Sequence, residues 1–288
     1  MILAGIIKTL KIKHYVKNLV VLVPLIFSLN IFNPKLFLMA LTAVLGFCFV
    51  SSAVYVMNDL VDIDKDKKHP IKSKRPIASG EISKTAAVLL MLFLLITSIL
   101  ITGFNKLCMY SVLVYFLLNI IYSFKLKDVF LVDATCIALG FILRILAGCF
   151  AISVIPSPLV ILMTFFISMF FTFTKRRLEL KLLTAQNEER ASLKGISEQE
   201  ISKFIIINAV LSVSFYITYM LDKTTIMRAG TEYLYITVIP FTLIIYRLLF
   251  LSDTKLDDDD PLHLFKKDKP LLFFILFYLV TFIFVIIF

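Results

Sequence analysis

The sequence predicts an all-α, polytopic membrane protein with nine transmembrane helices. Three observations carry that prediction. Of 288 residues, 60% are hydrophobic and 17% charged, against roughly 45–50% and 25% in soluble domains. The apolar residues run in long unbroken stretches, whereas the strands of a transmembrane β-barrel alternate in polarity. The charges sit in short segments between those stretches. With nine spans, 25 of the 30 Lys and Arg fall on one side of the membrane and four on the other. The positive-inside rule then puts the N-terminus in the cytoplasm and the C-terminus outside. It also accounts for the net charge of +10 without nucleic acid.

The elements follow in order. In residues 1–17, Ile2, Leu3, Ile6, Ile7 and Leu10 have helical spacing among Lys8, Lys11, Lys13 and Lys17. The expected form is an amphipathic helix in the membrane interface; no signal-peptide cleavage pattern follows. The first span, 19–33, is short and carries Pro24. The spans 36–57, 86–103, 107–124, 131–153, 157–174, 202–221, 233–251 and 271–288 are near the 20 residues that cross about 30 Å of hydrocarbon. Arg144 lies deep inside a span, well away from either end. Cys48, Cys108, Cys136 and Cys149 all lie in apolar segments, where cysteine acts as a small hydrophobe. The chain is expected to be one membrane domain over 1–288. Its segments 58–85 and 175–202 form cytoplasmic loops large enough for chemistry.

The first of these loops holds the chemistry-bearing pattern. Continuing the second helix at about 100° per residue puts Tyr55, Asn58, Asp59, Asp62 and Asp66 within an arc of about 100°, with Asp64 on the far side. Oxygen-only ligands favour a hard cation, and Mg²⁺ takes one or two carboxylates, waters and substrate phosphates. His69, Pro70, Lys72, Lys74, Arg75 and Pro76 follow directly. A carboxylate face beside a prolyl-stiffened basic loop suits a magnesium diphosphate; the alternative is a solvated helix end. His69, just before Pro70, is expected to serve the turn. Arg144 lies about 20 Å inside its helix. Such a residue is a functional candidate by default, the alternative being a structural Arg paired with another helix. Asp133 shares its face but is about 16 Å away along the axis. The run Asp257 to Asp260 reads as solvated. A transporter is a weaker reading, because the polar residues cluster at one membrane face and no inverted repeat is visible.

Asn58-Asp59-x-x-Asp62-x-x-x-Asp66 after the second helix resembles the signature of the UbiA superfamily of intramembrane prenyltransferases. The likeness is closer to the branch typified by decaprenyl-phosphate phosphoribosyltransferases. Its residues are Tyr15, Lys17 and Asn18; His69, Pro70, Lys72, Arg75, Pro76, Ile77, Ala78 and Gly80; and Tyr122, Ser123, Leu126 and Lys127. Asp133, Gly140, Phe141, Arg144, Ala147 and Gly148 continue it, with Lys175, Arg176, Glu179, Leu180 and Pro261 to Asp268. The wider superfamily carries a second Asp-x-x-x-Asp motif. Here Asp128 and Asp133 are spaced five apart, and 175–202 offers only Glu179, Glu188 and Glu189. The phosphoribosyltransferase branch lacks that motif too.

The resemblance implies a UbiA-like bundle with a cytoplasmic-side active site in the cell membrane, and a place in cell-envelope biosynthesis. It implies Mg²⁺-dependent transfer of 5-phosphoribose from 5-phosphoribosyl 1-diphosphate to a polyprenyl phosphate, releasing diphosphate. A UbiA-type aromatic or quinone prenyltransferase using a polyprenyl diphosphate is the alternative. The implied metal ligands are Asn58, Asp62 and Asp66, and the implied catalytic residues are Asp62, Asp66 and Arg144. Substrate contacts are assigned to Lys17, Tyr55, Asp59, Lys72, Arg75, Tyr122, Lys127, Asp133, Arg144 and Lys175. Lys127 is either a lipid-phosphate ligand or a topology anchor, and Lys175 and Arg176 either site residues or headgroup contacts. The expected partners are the two substrates and membrane lipids, with a homo-oligomer left open.

Overall fold

The computed structural model describes residues 2–186, 191–254 and 268–287, and every regular element among them is helical. The run Asp257 to Asp260, the segment Pro261 to Lys267 and part of the expected 175–202 loop lie outside the described residues. The chain divides into two compact units, one of residues 1–126 and 142–156, the other of 127–141 and 157–288.

The first unit contains α1 (Ile2–Leu10), a 3₁₀ helix (Ile12–Leu22), α2 (Val23–Phe27), α3 (Pro34–Val61), α4 (Ile63–Lys68), α5 (Lys84–Thr102) and α6 (Lys106–Phe124). It ends with the second half of α7 (Phe130–Ala151). Helix starts are fixed by side-chain acceptors. Asn33 Oδ1 accepts from the N–H groups of Lys35 and Leu36, Ser83 Oγ from Ala86, and Asn105 Oδ1 from Leu107 and Cys108. These are the orphan donors of a first helical turn. α3 is the axis of the unit. Val44, Phe47, Val50 and Val54 on it are buried with Val21, Cys108, Val112 and Ala147.

The expected first span is not a regular α-helix. The 3₁₀ helix and five-residue α2 replace it, running antiparallel along α3. Lys11 lies beside Asp59, Tyr15 bonds Ser52, Asn18 bonds Ser51 and Cys48, and Leu25 packs with Ala40. Gly148 of α7 permits this close approach: a Cβ there would lie 2.1 Å from the Val21 carbonyl oxygen and 3.1 Å from Pro24. The expected interfacial helix over 1–17 is shorter too. It ends at Leu10, and Lys11 turns left-handed at φ 52°. Ile6 and Leu10 of α1 pack against the buried cluster that includes Ala53, Val56, Ile63, Ile77 and Ile82 rather than only facing lipid.

Among the described residues eight helices are long and apolar enough to cross a membrane: Pro34–Val61, Lys84–Thr102, Lys106–Phe124, Phe130–Ala151, Pro158–Leu183, Glu198–Met220, Tyr233–Asp253 and Lys269–Ile287. The expectation was nine. The shortfall is the segment 19–33, whose proline and 3₁₀ geometry keep it from forming one long helix.

The second unit holds the start of α7 with α8 (Pro158–Gln186), α9 (Glu198–Met220), α10 (Lys223–Ala229), α11 (Val238–Thr254) and α12 (Lys269–Ile287). Phe170, Phe173, Ile201, Ile205, Leu248 and Leu271 form its core. The expected loop from 175 is a correction, because α8 continues through Gln186. Its cationic residues read as loop, yet Arg176 and Arg177 are buried and satisfied by partners. Arg176 forms a two-point contact with the buried Asp133 carboxylate (2.5 and 2.9 Å), and Arg177 donates to Asp253 at 2.6 Å and to the Ser252 carbonyl. Arg247 and Asp268 make a similar two-point pair. Among the described residues no buried side-chain nitrogen or oxygen lacks a hydrogen-bond partner.

Candidate active site

The acidic motif lies where α3 gives way to α4. Asp62 ends α3 at φ −92°, ψ 11°, and its N–H still reaches the Asn58 carbonyl at 2.9 Å. The Asp66 N–H then bonds the Asp62 carbonyl at 2.8 Å. The backbone path is therefore nearly that of one helix, with a break at Asp62. Asp59 and Asp66 are buried at 2% and 4% exposure, Asp62 is half-buried, and Asp64 is exposed. The face separation expected from helical periodicity holds through the break.

Arg75 joins the two buried carboxylates. Its Nη1 lies 3.1 Å from Asp59 Oδ1 and 2.8 Å from Asp66 Oδ2. The loop that delivers it is tightly turned. His69 Nδ1 accepts from the N–H groups of Ile71 and Lys72, and the Ile82 N–H closes onto the Pro76 carbonyl at 3.0 Å. Ile77 and Ile82 anchor the loop under α1. Lys72 lies exposed on the same loop.

Asn58 Oδ1 lies 2.5 Å from Ser123 Oγ, which is also 2.7 Å from the Asn119 carbonyl. Ser123 thus holds the Asn58 carboxamide at the edge of the acidic motif.

Two carboxylate oxygens converging on one nitrogen mark a position that accepts positive charge, and the donors around it are all oxygen. This suits Mg²⁺, which uses one or two protein carboxylates and fills its sphere with water and phosphate. Among the described residues no three His, Cys, Asp or Glu side chains form a ready metal cluster. Asp59 and Asp66 are engaged by Arg75 instead.

Arg144 sits deeper in the same unit, 6% exposed. Its Nε donates to Asn18 Oδ1 at 2.9 Å, and its Nη2 to Tyr115 Oη at 3.1 Å and Ser51 Oγ at 3.4 Å. The guanidinium carbon lies 4.7 Å from the Tyr115 ring centroid and 5.5 Å from that of Phe47. These neutral dipoles and ring faces solvate the cation inside an apolar body. Ser51 precedes Asp59 by eight residues on α3, about 12 Å. Lys17 and Tyr55 are half-buried in this unit, as is Tyr122 beside Ser123. Lys127, Asp133 and Lys175 belong to the second unit. There Asp133 holds Arg176, and the exposed Lys175 lies 3.9 Å from Glu179.

Sequence reasoning missed Lys11, Ser51, Tyr115 and the Ser123–Asn58 contact. Only Lys11 carried a signal, its charge; the others are ordinary polar residues in apolar runs.

An all-α membrane fold with a carboxylate-and-cation site of this kind defines a class of intramembrane transferases. Residues 20–267 match the UbiA prenyltransferase family, and the chain belongs to that family. It is 30% identical over 275 residues to a decaprenyl-phosphate phosphoribosyltransferase of Corynebacterium glutamicum, covering 93% of this chain and 82% of that protein. It is 27% identical over 258 residues to the decaprenyl-phosphate phosphoribosyltransferase of Mycolicibacterium smegmatis, covering 85% and 81%. The structure of a UbiA homolog from Archaeoglobus fulgidus bound to GPP and Mg²⁺ superposes with a TM-score of 0.72 at 17% identity, over 96% of this chain and 99% of that one. That likeness speaks for the fold alone.

Proposed function

We propose that this protein transfers 5-phosphoribose from 5-phosphoribosyl 1-diphosphate to a polyprenyl phosphate in a Mg²⁺-dependent reaction that releases diphosphate. The observation that carries the proposal is the likeness to decaprenyl-phosphate phosphoribosyltransferases along 93% of the chain. The single acidic motif supports it. Asp133, the remaining acidic candidate of the expected site, is held by Arg176.

In this reaction the C1–O bond to diphosphate breaks and a lipid phosphate oxygen bonds to C1, which becomes oxocarbenium-like on the way. The attacking phosphate is already an anion, so no strong base is required. The demand is charge stabilisation on the departing diphosphate. Asp59 and Asp66, with Asn58 and Asp62 beside them, would hold Mg²⁺, which neutralises diphosphate charge when bound. Arg75 and Lys72 bind phosphate oxygens, and the half-buried Lys17 adds a further cation. Arg144 fixes the architecture beneath these groups and supplies positive potential to phosphate.

We read the 3₁₀ helix with α2 as a further membrane crossing. Eleven residues at about 2.0 Å and five at about 1.5 Å per residue give about 30 Å, the hydrocarbon thickness. This restores nine crossings, a cytoplasmic N-terminus and a cytoplasmic acidic site.

The test is transfer by purified protein from radiolabelled 5-phosphoribosyl 1-diphosphate to polyprenyl phosphate. The expected product is a labelled lipid, formed only with Mg²⁺. A protein that ignored the ribosyl donor and transferred a prenyl group from a polyprenyl diphosphate to an aromatic acceptor would overturn the proposal.

A further inference from the structure

Lys11 touches the centre of the acidic site. Its Nζ lies 2.9 Å from Asp59 Oδ1, the same oxygen that receives Arg75. The ammonium also lies 5.1 Å from the Tyr55 ring centroid. The Lys11 side chain is about one quarter exposed while Asp59 is buried, so solvent reaches the pair from the lysine side.

The backbone at Lys11 is held in an unusual conformation. With φ 52° and ψ 47° it is left-handed, a region that residues other than glycine rarely adopt. The chain is fixed on both sides of it. Upstream, Ile6 and Leu10 of α1 are packed against the buried cluster of Ala53, Val56, Ile63, Ile77 and Ile82. The Leu10 carbonyl accepts from Ser52 Oγ at 2.9 Å. Downstream, Tyr15 bonds the same Ser52 hydroxyl at 2.8 Å, and Asn18 is bonded to Ser51. Strained conformations persist where their surroundings over-determine them, and they cluster at functional sites. Here α3 pins the chain next to Lys11 and turns the side chain onto the acidic motif.

We propose that Lys11 is a transferable counter-ion: it neutralises Asp59 in the unloaded protein and passes to a donor diphosphate oxygen when the magnesium diphosphate arrives. The proposal rests on the function proposed above. Its basis is charge balance. Asp59 and Asp66 carry two negative charges, and Lys11 and Arg75 supply two positive ones within 3.1 Å. A bare divalent cation that takes Asp59 and Asp66, with Asp62 beside them, must displace these ion pairs and leave an ammonium facing a metal. A magnesium diphosphate brings phosphate oxygens with it, to which an ammonium that has left Asp59 can bond. Lys11 therefore works against metal alone and for metal with donor. A single lysine serves both states because its flexible stem moves a point charge without moving the backbone.

The test measures two equilibria on purified protein. Mg²⁺ binding is titrated without donor, and radiolabelled 5-phosphoribosyl 1-diphosphate binding is titrated at saturating Mg²⁺. Lys11→Met should tighten Mg²⁺ alone several-fold and weaken the donor about tenfold or more, the loss of one charge-assisted phosphate contact. Lys11→Gln, which keeps a hydrogen bond without the charge, should follow Lys11→Met. Lys11→Arg should retain most donor affinity. The opposite signs are the signature, because a purely structural lysine would weaken both or neither. Donor binding within about twofold of wild type in Lys11→Met, or parallel weakening of both ligands, overturns the role of Lys11 alone. A wild-type protein that binds Mg²⁺ but not the donor overturns the proposed function, and this role with it.

Discussion

Arg144 donates to Asn18 Oδ1 at 2.9 Å, across 126 positions of sequence. This bond ties α7 to the 3₁₀ segment, and through Ser51 and Tyr115 to α3 and α6. Arg144→Ala would leave these buried acceptors short of a donor, at about 1–3 kcal/mol per group left unsatisfied. The expected outcome is loss of both transfer activity and thermal stability, read by turnover and by the melting temperature in detergent. Arg144→Lys should not restore either, because an ammonium lacks the planar fork that reaches three partners. Normal melting with lost turnover would assign Arg144 to substrate alone.

The acidic motif offers a sharper comparison. Asp66 is buried on Arg75, whereas Asp64 is exposed two residues earlier. Asp66→Ala and Asp59→Ala should abolish transfer, and Asp64→Ala should keep most of it. Turnover of the three proteins at matched membrane expression is the measurement. Equal losses would mean that the two faces are not functionally distinct.

Gly148→Ala tests the seat of the 3₁₀ segment. The added methyl would meet the Val21 carbonyl, a backbone atom that cannot swing aside. Overpacking of this kind costs typically 1–3 kcal/mol. A lowered melting temperature and reduced yield of folded protein are expected, with Gly46→Ala less severe. At Gly46 the nearest obstacle is the Thr102 methyl, a side chain that can rotate.

Asp133 and Arg176 should prove structural. Removing one member of a buried pair costs about 3–5 kcal/mol; loss of Arg176 leaves Asp133 without that partner, while loss of Asp133 leaves Arg176 with Glu179, 2.6 Å from its Nη1, and should cost less. Asp133→Ala and Arg176→Ala should therefore each destabilise the protein, Arg176→Ala the more strongly. The double change Asp133→Leu with Arg176→Met should recover much of the loss. Thermal unfolding of the set checks this. Full stability with impaired donor or lipid use in Asp133→Ala would return Asp133 to the substrate contacts first expected.

Much of this fold is legible in the sequence because apolar runs end at charged or capping residues. The spans expected at 86–103 and 107–124 correspond to Lys84–Thr102 and Lys106–Phe124, bounded by Ser83 and Asn105. The acidic face was legible because helical periodicity survives the break at Asp62. Legibility fails where tertiary partners override local signals. Lys175, Arg176 and Arg177 read as a loop, yet Asp133 and Asp253 let α8 carry two buried arginines. Residues 1–17 read as an interfacial helix and 19–33 as a short span, whereas the tighter winding covers 12–22, backed by Gly148 and Asn18. Lys11 reads as one lysine among four; its contact with Asp59 depends on a left-handed turn that no residue type there announces.

The segment 12–27 also decides the topology. If it crosses the membrane, the N-terminus and the loop after α4 share the cytoplasmic side, and the C-terminus lies outside. If it does not, eight crossings put both termini on one side, and residue 8 lies opposite residue 79. Single cysteines separate the two cases, since Cys48, Cys108, Cys136 and Cys149 are buried and should contribute little background. Phe32, at 90% exposure, and the exposed Lys8, Ser79, Gln199 and Glu232 provide reporter sites. In intact cells a membrane-impermeant maleimide should label Phe32→Cys and Glu232→Cys. Labelling of Lys8→Cys, Ser79→Cys and Gln199→Cys should require opened membranes. Lys8→Cys is decisive. Labelling from outside, with Ser79→Cys still protected, would show that the 3₁₀ segment does not cross, and would contradict the 2.9 Å contact of Lys11 with Asp59, which needs both residues at the same membrane face.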